Sequence, residues 1–208
     1  MSTEVIDLIC HMNLKKIQSQ LVLQCAPLIV GLKISNLFVT EPGSIRSLKR
    51  ILDGSGISFY VLTSTSEKAT CFLFRKNSMQ KYLRKKENRA FLDQLGYQKD
   101  LTLTEMMLKF RGRYAAYQRG EAGFPHEMGV FLGYPIEDVR GFIENDGQNF
   151  LYSGYWKVYK DAQKKKELFD LYEIAKETLV CVLAGGVSIR EIIETYCSSD
   201  SSKLSAAV

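Results

Sequence analysis

The stretch ISFYVLTSTSEKATCFLFR, Ile57 to Arg75, decides the fold class. Its two ends, ISFYVLT and TCFLFR, are rich in aromatic and β-branched residues, and the polar STSEKA between them has turn character, so the segment reads as a β-hairpin. Both strands are apolar on both faces, which predicts a small antiparallel sheet covered by helices. Outward from the hairpin almost everything reads as helix. Residues 3–23 read as one long amphipathic helix, with Val5, Leu8, Ile9, Met12, Ile17 and Leu21 on its stripe and Asn13 and Leu14 blurring it. QCAPLIVGLKISNLF reads as either a second short helix or a buried extended segment, and Ser44 to Leu52 as a helix ended by DGSG.

Beyond the hairpin, SMQKYLRKKENRAFLDQLGY reads as a helix stopped at Gly96. Thr102-x-x-Glu105 is a capping box opening a helix with Leu103, Met106, Phe110, Tyr114 and Tyr117 on one face. FLYSGYWKVYKD is a strand or irregular hairpin, able to extend the sheet. Asp161 begins a helix burying Leu168, Leu171, Tyr172, Ala175, Leu179 and Val182, and Ser188-x-x-Glu191 caps a last one through about Tyr196. The expectation is a mainly helical α+β domain over residues 1–197, with 1–96 and 97–197 as candidate lobes and 198–208 as a disordered tail.

Composition narrows the class. With 46% hydrophobic and 25% charged positions, 208 residues suffice for a sizeable core. No apolar run approaches the roughly 20 residues that span a bilayer, and MSTEVIDLIC resembles neither a signal nor a transit peptide. Five scattered cysteines with no C-x-x-C pair argue against a disulfide framework and a structural zinc site. A soluble cytoplasmic protein is expected, with no membrane partner. The formal charge of +5 is regional, because residues 81–119 hold ten basic and four acidic side chains.

FPHEMGVFLGYPIEDVRGFIEND, Phe124 to Asp146, has helix-turn-helix spacing. Small residues fall at Gly129 and Gly133, and apolar ones at Met128, Leu132, Tyr134, Val139 and Phe142, where two helices would cross closely. Its second helix carries Glu137, Asp138, Glu144 and Asp146 against Arg140 alone, so a phosphate-lined groove would repel it. A nucleic-acid-binding module would instead lean on the basic segment, with Lys85, Lys86, Arg111 and Arg113 as contacts; that segment reads equally as a solvated helical face.

For small-molecule chemistry, His126 and Glu127 sit together where Pro125 would begin a helix. A neutral imidazole there suits a general base or ligand with the carboxylate as partner, and hydrogen-bonded packing is the plainer alternative. Position 130 is Val, so the spacing is not that of a zinc protease. Cys25, ahead of Ala-Pro in an expected turn, is either an activated nucleophile or a buried inert thiol. Tyr155, Trp156, Lys157 and Tyr159 form an aromatic cluster, either a core anchor or the wall of a pocket for a planar ligand such as a flavin or porphyrin. No nucleotide-binding glycine loop or nucleophile elbow is present.

CAPLIVGLK at Cys25 to Lys33, the Phe124 to Asp146 block, and GYWKVY at Gly154 to Tyr159 together resemble an uncharacterised family of anaerobic low-GC Gram-positive bacteria, domain of unknown function 3793. The resemblance covers residues 5–197. It implies no set activity, and links the protein to iron and redox metabolism through neighbouring iron-uptake and flavodoxin genes. The family pattern has a histidine before the first block's cysteine and a cysteine before Gly154; Gln24 and Ser153 stand there in this chain, so the resemblance implies no shared Cys/His site. The expected function is a small-molecule or metal-cofactor-handling accessory protein or enzyme, with a nucleic-acid-binding module and a protein-interaction module as alternatives.

Overall fold

The computed structural model describes residues 3–198, with side chains through residue 196. The expected tail therefore lies almost wholly outside the described residues. The protein is α+β and mainly helical, with one three-stranded and one two-stranded antiparallel sheet.

The N-terminal segment forms two helices, α1 (Thr3–His11) and α2 (Ile17–Ile29), in place of one long helix. Asn13 breaks it: its side-chain oxygen accepts the Lys15 N–H at 3.0 Å, an alternative to the helical bond. α2 runs on through Pro27, and after a turn at Gly31 the chain enters β1 (Ser35–Thr40), a strand that resolves the ambiguous 24–38 segment as helix then strand. A 3-10 turn (Pro42–Ser44) leads into α3 (Ile45–Leu52).

The expected hairpin is present as β2 (Ile57–Ser64) and β3 (Ala69–Arg75). The sheet order is β1-β3-β2, so β3 is central and buried at all seven positions. Its alternation divides the core in two. Cys71 and Leu73 face a cluster with α2, α9 (Ala162–Ala184) and α10 (Ile189–Ser198); Phe72 and Phe74 face a second cluster built on α4 (Lys76–Leu83), α5 (Lys86–Gln94) and α6 (Leu103–Gln118). The helix expected from Ser78 to Gly96 is thus two helices, parted at Arg84 and Lys85. Both capping boxes form: Thr102 and Glu105 exchange backbone and side-chain bonds at α6, as do Ser188 and Glu191 at α10.

The Tyr152 to Val158 hairpin, β4 (Tyr152–Ser153) and β5 (Lys157–Val158), pairs only with itself and does not extend the main sheet. It rests on α9, where Phe169 and Val180 are buried beside Tyr172, Ala175 and Leu179, while Leu171 is 46% exposed, against expectation. A third cluster of Trp156, Val158, Phe169 and Tyr172 seals this contact.

Candidate functional site: an aromatic cavity at a helical corner

Two short helices form the corner, α7 (Glu127–Phe131) and α8 (Ile136–Glu144). They meet at Gly129, where an added Cβ would lie 2.7 Å from Val139 Cγ2, and turn at Gly133, whose φ of +74° a side chain would strain. Ser35 Oγ donates to the Phe131 carbonyl and the Tyr82 phenol to the Tyr134 carbonyl, at 2.6 Å each, pinning the corner to the sheet and to α4.

Helix α7 begins later than Pro125 implied, with His126 as its cap residue, and its five residues supply little dipole. The two neighbours part company here. Glu127 is fully buried, accepts the Tyr97 hydroxyl at 3.0 Å and pairs with Arg113 Nε. This carboxylate is a buried structural partner of α6 and does not serve His126, which corrects the expected pairing. The His126 ring lies between Phe124, at 5.5 Å, and Phe142, at 6.0 Å, and among the described residues its nitrogens have no hydrogen-bond partner.

His126 borders a cavity of about 350 Å³ walled by Phe124, Tyr134, Phe142, Trp156 and Lys157. Tyr134 stacks on Trp156 at 4.7 Å, and Phe169 meets the indole edge-on at 4.5 Å. Asp138 organises this wall: its carboxylate accepts the Trp156 indole N–H at 2.7 Å and the backbone N–H groups of Tyr159 and Lys160 at 2.8 and 3.2 Å. In the sequence Asp138 stands out only as a charge opposed to DNA. Its signal was position, an acid in the first turn of an otherwise apolar helix face.

Lys157 donates to the Gly147 carbonyl at 2.6 Å and lies over the rings of Phe142 and Phe150. Tyr155 turns toward α9, donating to Glu173 at 2.7 Å, and burial raises its phenol. Tyr159 packs its ring against Gly141, outside the cavity, and its hydroxyl is buried without a partner among the described residues. Of the expected aromatic set, then, Tyr155, Trp156 and Lys157 reach the cavity and Tyr159 does not.

Cys25 is elsewhere and of the opposite character to a nucleophile. It lies inside α2 with no exposed surface, and burial pushes its thiol up to about 12, the direction of the buried-thiol alternative and not of an activated nucleophile. Asn36 Nδ2 is 3.7 Å from its sulfur, and Asn36 also accepts from Lys33 Nζ at 2.7 Å. Lys33, nearly fully buried, stands over the Tyr134 ring, and desolvation lowers its ammonium to about 8. Among the described residues no three His, Cys, Asp or Glu side chains gather so as to hold a metal ion. Of the nucleic-acid candidates, Arg113 is committed to Glu127 and Lys85 stands over Tyr82; Lys86 and Arg111 are exposed.

The family model described as a protein of unknown function, DUF3793, matches residues 21–193. The chain belongs to this family. No curated protein and no solved structure matches it. The DUF3793 match spans every wall of the cavity as well as Cys25 and Lys33. No helix among the described residues is long and apolar enough to cross a membrane.

Proposed function

We propose that the protein handles a small, flat, largely apolar molecule in the cavity between α8 and the Tyr152 to Val158 hairpin, and that it works in the cytoplasm. The observation that carries this reading is the cavity itself: about 350 Å³ walled by aromatic rings, with an imidazole on its border that the fold leaves unbonded. Ligand sites are clefts that combine apolar walls with a few free polar groups, as this one does. Its volume sits near the lower end of the roughly 300–1,000 Å³ range of ligand pockets, which favours two or three fused rings over a porphyrin. A ring system of that size is also the form in which a redox role would reach this site.

Trp156 is the single tryptophan and lines the cavity, so its fluorescence reads occupancy directly. Titration with a library of planar two- and three-ring compounds is expected to quench or shift that emission for a subset. His126→Ala should weaken those compounds by fivefold or more while leaving the unfolding free energy within about 0.5 kcal/mol of wild type. Silence across the library, or affinities unmoved by His126→Ala, would overturn the reading.

A further inference from the structure

We infer that the ligand of this cavity carries an anionic group, a carboxylate on a fused-ring plane, taken up by Lys157 and His126; this rests on the proposed pocket. Both groups line the cavity and both lie against Phe142, the His126 ring centre 6.0 Å and Lys157 Nζ 5.8 Å from its ring centre. Lys157 uses one of its three N–H donors on Gly147, and its other neighbours are the faces of Phe142 and Phe150. Ring faces attract a cation without neutralising it, and no carboxylate among the described residues pairs with Lys157. His126 supplies an N–H in either neutral tautomer, with no acceptor for it among the described residues.

The one carboxylate on the cavity wall does not satisfy these donors. Asp138 is held by the Trp156 indole and two backbone N–H groups, three donors that spread its charge away from the cavity. An incoming anion therefore meets donors at the Phe142 side, while its rings lie against the wall formed by Trp156 and Tyr134, themselves stacked with centroids 4.7 Å apart. Such polarity, a cationic end on an apolar slot, distinguishes an acid from its neutral isostere. The neutral isostere leaves the half-buried Lys157 ammonium without the carboxylate partner that the acid supplies, and the difference between the two probes is the discrimination the site provides.

The test pairs 2-naphthoate with 2-naphthamide, equal in shape and different in charge, by isothermal titration calorimetry against the whole chain. The acid is expected to bind at least tenfold more tightly than the amide. Lys157→Met, which keeps the aliphatic stem over Phe142 and Phe150, should bring the ratio near one, and Lys157→Arg should preserve most of it. Equal affinities for the two probes in wild type, or a ratio that Lys157→Met leaves unchanged, would overturn the anionic assignment while the pocket stands. Binding of neither probe would overturn the anionic assignment, and silence of the planar-compound library beside it would overturn the pocket as well.

Discussion

Two aromatic regions of this molecule have nearly the same composition and opposite character. Beneath the sheet, Phe72, Tyr97, Phe110 and Phe131 interlock with centroids 4.7 to 6.4 Å apart, and the polar atoms among them are matched: the Tyr97 hydroxyl and the Arg113 guanidinium both end on Glu127. Across the corner, Tyr134, Trp156 and Phe169 pack as closely, at 4.5 and 4.7 Å, yet border a cavity with an imidazole that has no hydrogen-bond partner, and an ammonium that has no counter-ion, among the described residues. Aromatic density therefore does not distinguish core from site. What distinguishes them is residual volume together with unused hydrogen-bonding capacity. The boundary runs between adjacent residues, His126 and Glu127.

The sharpest way to break this comparison is Arg113→Ala, which strands the Glu127 carboxylate with Tyr97 alone. Removing one partner of a buried pair costs about 3–5 kcal/mol, and the 42% exposure of the Arg113 side chain places this case near the lower end, at about 3 kcal/mol in urea unfolding. A loss below about 1 kcal/mol would mean that the first region is not the satisfied core described.

Next in size is Lys33, the buried ammonium behind Tyr134. Its pKa is lowered from 10.5 unfolded to about 8 folded, so the unfolded chain binds more protons between those values and this residue's penalty shrinks as pH rises. The buried thiols of Cys25 and Cys71, raised to about 12 and 11, act in the opposite sense, so the lysine is isolated by comparison with Lys33→Met. The stability difference between variant and wild type should move in favour of wild type by about 2 kcal/mol from pH 7 to 9.5. A difference independent of pH would place the ammonium in water.

Asp138→Asn is expected to cost about 1–2 kcal/mol, because the amide has one acceptor oxygen for three donors and turns an N–H toward one of them. Trp156 emission should shift with it; an unchanged spectrum would detach Asp138 from the cavity wall. The smallest effect concerns thiol labelling at pH 8 in a Cys197→Ser background. The exposed Cys10 and Cys181 should react at once, and Cys25 and Cys71 only on unfolding. Rapid labelling of four thiols would reopen Cys25 as a nucleophile.

What the sequence determined by itself is local. The hairpin at Ile57 to Arg75, the capping boxes at Thr102 and Ser188, and the close approach at Gly129 each depend on residues within a few turns of one another, so propensity and spacing suffice to show them. The break at Asn13 was also local, visible only as a blur, because a side chain competing with one helical bond leaves no change of period. The rest required the tertiary structure. β1 is a strand because β3, 29 to 39 residues further along the chain, supplies its partners; Glu127 is structural because Arg113 and Tyr97 arrive from other elements. The cavity exists only where α8, the small hairpin and the edge of β1 fail to close on one another, and a gap among distant elements has no periodicity along the chain.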